Sequence, residues 1–224
     1  MKIAHYIASC GICSRRDAEK LVLDGHVKIN GIVNTNVAAR VQDSDRIDLD
    51  NKLITITSNQ TRLWMYYKPV KVLTTHKADF DADTVFELVK ARLGYVISVG
   101  RLDYMSEGLL LLTNSNDLAH ELMNGDYPRI YRVCVDKILQ YSDLVFLESP
   151  FTLDNVHYKP WKIRNIVNNW LEIELYEGKN REIRKVIQAL DLHVLKLVRL
   201  SYGPYTLSSM CKPNEIVEMQ IAQY

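Results

Sequence analysis

Hydrophobic positions in the first thirty residues recur at helical spacing and then switch to alternation. Ile3, Tyr6 and Ile7 fall on one helical face. Ser14, with Asp17 three residues on, is a start signal for a second helix that turns Ala18, Leu21 and Val22 inward and stops at Gly25. Val27 and Ile29 then alternate, Asn30-Gly31 predicts a type I′ hairpin turn, and Val33 continues the pattern. Ile47 and Leu49 alternate in a later strand, and Asn51-Lys52 is expected to turn the chain into Leu53 to Ile56. The polar stretch 57–62 reads as a linker, so residues 1–60 are expected to form one small unit and 61–224 a second.

The second unit opens with a β-prone run, Leu63 to Tyr67, stopped by Pro69. Thr84 and Glu87 form a capping box for a helix through Leu93 that Gly94 ends. A strand from Val96 to Val99 leads into Gly-Arg-Leu-Asp at 100–103, and Leu109 to Leu112 reads as a buried strand. Helices are expected near 117–123, 142–148 and 181–190, and strands over 130–135, 161–167, 170–176 and 194–200. Strands with interspersed helices and no regular βα alternation point to an α+β fold, a mainly antiparallel mixed sheet flanked by helices.

Composition narrows the class. With 47% hydrophobic and 25% charged residues in 224, the chain is neither disordered nor collagen-like, and no run approaches the ~20 apolar residues of a membrane span. Cytoplasm is the expected compartment, with no membrane partner and a monomer as the default. Cys10, Cys13, Cys134 and Cys211 are scattered; the single C-G-I-C pair lacks the second ligand pair of a structural zinc site, so no metal is expected. Ile7-Ala8-Ser9-Cys10 superficially resembles a lipoprotein cleavage box, but the apolar stretch before it is too short and His5 interrupts it. Lys plus Arg total 28 and Asp plus Glu 27, a net charge of +1 that by itself counts against a nucleic-acid binder. The charge is unevenly spread, however. Residues 178–199 hold six basic residues against two acidic, and residues 41–50 hold four aspartates against Arg46 alone.

Four groups of residues carry candidate chemistry. Asp103 ends one apolar strand just before another, where a loop can hold a carboxylate rigidly toward a ligand; an ordinary turn aspartate is the alternative. In Glu-Gly-Lys-Asn-Arg-Glu-Ile-Arg-Lys, 177–185, the cations Lys179, Arg181, Arg184 and Lys185 gather at a helix start. The helix dipole disfavours cations there, so they point to an anionic partner or to a solvated basic turn. Tyr131, between Arg129 and Arg132, suits either base stacking among phosphate contacts or core packing. Arg15, Arg16 and Lys20 at the start of the second helix, with Lys28 just past it, form either a phosphate seat or a solvated face.

Residues 99–115, Val-Gly-Arg-Leu-Asp-Tyr-Met-Ser-Glu-Gly-Leu-Leu-Leu-Leu-Thr-Asn-Ser, closely resemble the catalytic motif of the RsuA-like family of ribosomal RNA pseudouridine synthases. The 177–186 string resembles that family's later motif, Lys68-Pro69 with Val72 to Thr75 its opening strand and loop, Arg129 to Val133 its tyrosine strand, and Leu197 to Leu200 with Gly203-Pro204 its closing strand. Residues 1–56 resemble an S4 (αL-type) RNA-binding domain. Lys71 stands where the family usually has glycine, and Ser106 replaces its threonine.

The resemblance implies an RNA pseudouridine synthase that needs no cofactor and acts on ribosomal RNA or a pre-ribosomal particle, with a lean toward the large subunit. By the family pattern Asp103 is the essential carboxylate, Arg184 the arginine that pairs with it and Tyr131 the residue that stacks on the target uracil. Arg15, Arg16, Lys20, Lys28, Arg101, Lys179, Arg181 and Lys185 are the expected RNA contacts. One rival is a non-catalytic RNA-binding or ribosome-assembly protein. Another is a glycosidase-like hydrolase, which needs a second carboxylate across the cleft; Glu107 is the one nearby in sequence.

Overall fold

The computed structural model describes residues 1–56, 60–76 and 81–222. The chain opens with α1 (Ile3–Ser9) and α2 (Arg15–Leu23). The Ser14 hydroxyl accepts the Asp17 N–H at 3.1 Å, so the second helix starts where its cap predicts. Strands β1 (Val27–Ile29), β2 (Ile32–Val33), β3 (Ile47–Leu49) and β4 (Lys52–Leu53) make a sheet of order β2-β1-β3-β4. Asn30 and Gly31 both take positive φ (52° and 83°), the backbone of the expected I′ turn. The later turn falls one residue earlier than expected: Asp50 and Asn51 carry the positive φ, and the strand after it is two residues long. Ile3, Ile7, Ala18, Val22, Val27 and Ile47 close a core of their own within this part of the chain.

The remainder is built on β5 (Leu63–Lys68), α3 (Val85–Leu93), β6 (Ile97–Ser98), β7 (Glu107–Thr113), α4 (Asn116–Asn124), β8 (Arg129–Val135), α5 (Tyr141–Leu147), β9 (Phe151–Leu153), β10 (Val156–Tyr158), β11 (Lys162–Val167), β12 (Trp170–Leu175), α6 (Glu182–Ala189), β13 (Val194–Tyr202), β14 (Tyr205–Thr206) and β15 (Ile216–Met219). The main sheet runs β11-β12-β8-β13-β7-β5-β15, with β14 on β13 and β6 on β7. Its pairings are antiparallel apart from β13 with β7, so the fold is α+β with a mixed, mostly antiparallel sheet.

The unbroken apolar runs of β5 and β7 have a simple cause. Trp64, Tyr66, Leu110 and Leu112 enter a core shared with α3, α5 and α6, while Leu63, Met65, Leu109 and Leu111 enter a second core under α4. Both faces of these strands are covered, so neither shows alternation.

Some elements differ from the sequence reading. The β9–β10 hairpin, β14 and β15 are not foreseen, and β6 is shorter than Val96–Val99. Asp154 and Asn155 turn the hairpin with positive φ, but its three-residue strands are too short to show a period. In the expected linker, residues 57–59 lie outside the described residues, and Arg62 belongs to the sheet: its N–H donates to Asn114 Oδ1 at 2.8 Å and its guanidinium pairs with Glu218 at 2.5 Å.

Lys71 has φ of 62°, a left-handed backbone that explains why glycine is the family's usual choice there. Its N–H donates to Tyr104 O at 2.7 Å, which fixes that conformation. Lys71→Gly is expected to raise stability by about 1 kcal/mol, because an L side chain is disfavoured in this region. Urea unfolding reads this as a higher midpoint at unchanged slope; a lower midpoint would refute the strain.

Candidate active site

A cavity of about 1120 Å³ opens where the turn after β5, the loop between β6 and β7, the start of α6, and strands β8 and β13 converge. Asp103 lines it, half-buried, on a loop clamped on both sides. On one side the Thr74 hydroxyl donates to Leu102 O at 3.0 Å. On the other, Lys71 N–H holds Tyr104 O, and the Ser106 N–H donates to Asp103 O at 3.0 Å. Lys68, fully buried at the end of β5, donates to Pro69 O (2.9 Å) and Ser106 O (2.8 Å). The loop is therefore fixed by hydrogen bonds that leave the Asp103 carboxylate out of the account.

Burial pushes the Lys68 ammonium down to about 8, against the pull of Asp103 and Glu107 and with Arg199 adding to the push. Between that value and the ordinary 10.5 the unfolded chain binds the proton and the folded one does not, so stability rises with pH across that window. Urea unfolding of wild type and Lys68→Met at pH 8 and 10 tests this. The wild type should gain on the variant at the higher pH, and a constant difference would exclude the linkage.

Tyr131 lies on β8, 9% exposed, and lines the cavity. Arg129, two residues earlier, shares its face: it donates to Tyr176 O (2.8 Å) and to the Tyr202 hydroxyl (2.9 Å) and lies over the Tyr202 ring. Arg132 does not join them. Strand alternation turns it to the other face, where it meets Glu172 at 3.4 Å. Arg199 on β13 is Tyr131's cross-strand partner and also lines the cavity, with 2% exposure.

Arg184 reaches the cavity from α6, but the expected direct pair with Asp103 is not formed. Its guanidinium donates to Met105 O (2.8 Å) and Val194 O (3.3 Å). Burial, then Arg181, lowers its pKa, and the field of Asp103 opposes that lowering, so the two groups attract without touching. Lys179 lines the cavity too, yet its ammonium is engaged by Glu177 at 2.7 Å and lies over the Tyr158 ring. Arg101 and Arg181 are exposed cavity residues, and Arg181 caps α6 with φ of 52°. Glu182, 4% exposed, accepts the Lys179 N–H at 2.9 Å and shapes the turn; burial raises its pKa.

The basic segment 178–199 is thus not one continuous patch. Lys179, Arg181, Arg184 and Arg199 line the cavity, while Lys185 is exposed away from it and Lys196 pairs with Glu107 at 2.9 Å. Glu107, the second carboxylate nearest in sequence, is held in that pair and does not line the cavity. Arg15, Arg16 and Lys20 are exposed along α2, and Lys28 donates to Asn51 Oδ1 at 2.8 Å; none of the four lines the cavity. The four aspartates of 41–50 are largely matched locally, Asp45 by Asn30, Asp48 by Arg46 and Asp50 by His26.

Sequence reasoning gave Lys68 and Arg199 no role of their own. The signal for Arg199 was present: it occupies an inward position of an apolar strand, where a charge has to be matched. The thiols of Cys10 and Cys13 are free, and burial pushes that of Cys10 up to about 11, away from the thiolate that metal or redox chemistry uses. Among the described residues no helix is long and apolar enough to cross a membrane. Chemically, the cavity offers the rigidly presented Asp103 carboxylate, tyrosine rings including Tyr131 and several arginines, in a space large enough for a nucleotide.

Comparison with known proteins gives a consistent result. Residues 62–189 match a family model described as RNA pseudouridylate synthase, and residues 1–47 match the S4 domain. A protein of Rickettsia bellii, named an uncharacterized RNA pseudouridine synthase, is 46% identical over 97% of this chain and 96% of its own. The ribosomal large subunit pseudouridine synthase B of Yersinia pestis is 34% identical over 92% of this chain and 68% of its own, and that of Bacillus subtilis 30% over 90% and 85%. The crystal structure of a pseudouridylate synthase shares the fold, with a TM-score of 0.71 at 21% identity over 98% of this chain and 96% of that one.

Proposed function

The chain belongs to the RNA pseudouridylate synthase family, in its RsuA-like group with an S4 domain, and from that premise we propose that its substrate is a uridine of large-subunit ribosomal RNA. The enzyme is a pseudouridine synthase. It breaks the N-glycosidic bond of a uridine in RNA, and the base rejoins the ribose through C5. In our reading Asp103 is the carboxylate that acts on the target nucleotide. Tyr131 stacks on the displaced uracil, and Arg184, whose charge attracts the carboxylate without touching it, helps aim Asp103 at the target. A base inside a helix cannot reach such a group, so the nucleotide has to flip into the cavity. Residues 1–60 add RNA grip through Arg15, Arg16, Lys20 and Lys28, and 61–224 carry the chemistry. Arg101, Arg181, Lys179 and Lys185 flank the RNA path; Lys179 has to leave Glu177 to take part.

The observation that carries this reading is the placement of Asp103. It stands on a loop whose backbone is held by Thr74, Lys71 and Lys68, and it faces a cavity walled by Tyr131 and arginines. The support for the large subunit is the two synthase B relatives, each at least 30% identical. The test is to incubate the purified protein with unmodified large- and small-subunit RNA and map pseudouridine by carbodiimide primer extension. One new pseudouridine in the large-subunit RNA is expected. Modification of the small-subunit RNA alone would reverse the assignment of subunit, and none in either would remove ribosomal RNA as substrate.

A further inference from the structure

We propose that Arg199 is a further catalytic residue, which touches the detached uracil and stabilises it as an anion. The inference rests on the synthase reading and adds a group that the sequence motifs left without a role. The terminal nitrogens of the other arginines placed deepest in the cavity are committed to the protein: those of Arg129 to Tyr176 O and Tyr202, those of Arg184 to two backbone carbonyls, which leaves only its inner Nε unpaired. Arg199 differs. It is 2% exposed, its Nε donates to Leu109 O at 2.7 Å, and its Nη2 is buried with no hydrogen-bond partner. No carboxylate pairs with it among the described residues, and its guanidinium lies 5.4 Å from the centre of the Tyr202 ring. A buried cation left with unused donors is costly, and an anion in the cavity supplies what it lacks.

The position suits the base. Arg199 and Tyr131 are direct partners on antiparallel strands, so their side chains leave the same face. A uracil stacked on Tyr131 presents its edge to the guanidinium. The chemistry requires a cation there. When the N1–C1′ bond breaks, its electron pair leaves with the base, and the charge spreads over N1, O2 and O4. The base then turns, a pair from C5 forms the C5–C1′ bond, the C5 proton departs and N1 takes up a proton, so the product is an isomer and no oxidant or reductant is consumed. A half-turn about the N3–C6 line exchanges O2 with O4 as it exchanges N1 with C5. One guanidinium therefore meets a carbonyl oxygen in the same place before and after the turn, first one of the pair and then the other.

The test uses the full-length enzyme and large-subunit RNA transcribed with either uridine or 5-fluorouridine, measuring glycosidic cleavage in single-turnover reactions. Arg199→Met should slow cleavage of the uridine RNA by roughly 10²–10³-fold, with RNA affinity within twofold of wild type. Fluorine stabilises the anion by itself, so the loss on the 5-fluorouridine RNA should be at least about tenfold smaller. Equal losses on the two RNAs, or a loss found wholly in affinity, would overturn the proposal. If Arg199→Met fails to fold, Arg199→Lys retains the charge and should show the same ordering of substrates at a smaller loss. Wild type inert on both RNAs would count against the substrate assignment instead, which separates the two failures.

Discussion

Asp103→Asn is expected to abolish pseudouridine formation, by at least about 10⁴-fold in single-turnover rate, while melting within a degree or two of wild type. The two halves of that result have separate causes. In the proposed role the carboxylate oxygen does the chemistry, and an amide neither attacks nor removes a proton at the sugar. The fold does not need it. The loop is held by the Thr74 hydroxyl on Leu102, Lys71 N–H on Tyr104 and Lys68 on Ser106, and the Asp103 atom within that network is its backbone carbonyl. Asn is nearly isosteric and keeps every one of these bonds. Retained activity in Asp103→Asn would remove this carboxylate from the mechanism. A large loss of stability would show that the carboxylate also serves the loop.

Gly108→Ala is expected to destabilise the sheet strongly, costing about 3 kcal/mol or more. Gly108 has φ of 104°, and a Cβ there would lie 2.4 Å from Arg199 O and 2.8 Å from Arg199 N. Those are backbone atoms of the neighbouring strand and cannot swing aside as a side chain can. The contact falls on the parallel β7–β13 pairing, with Lys68 opposite on β5, so relief would mean spreading the sheet at the point that places Arg199. Gly31→Ala is the comparison: its φ is also positive, but nothing lies within 4 Å, so only the backbone preference is lost. Denaturant unfolding of both variants decides the matter. A Gly108→Ala protein no weaker than Gly31→Ala would mean that the strands separate easily.

The elements with strong local signals were legible before the structure. The Ser14 and Thr84 caps, the Asn30-Gly31 turn and the run Leu109 to Leu112 each occur where local chemistry places them. Asp103, Tyr131 and Arg184 are separated by up to 81 residues in sequence yet line one cavity, which motif resemblance anticipated and periodicity alone does not. What escaped reading depended on long-range partners. The β15 strand gains its identity from β5, and the β9–β10 hairpin is too short to show a pattern. Whether a cation faces RNA or a neighbouring carboxylate is settled only by packing: Lys179 pairs with Glu177, two residues before it in the basic motif, and Arg132 lies on the wrong face of its strand. Arg184 shows the same limit, since the motif names the residue but not the two carbonyls that take its hydrogen bonds.

The sheet's connectivity also sets a timetable for biosynthesis. The N-terminal core draws on residues 3–54 alone and can form as soon as that stretch leaves the ribosome. Asp103, by contrast, reaches its cavity only after β13 has been translated, because Arg199 and Leu197 supply one of its walls. At roughly 5–20 residues per second the nascent chain spends about 7 to 30 seconds with its small N-terminal unit complete and its candidate pocket still lacking a side.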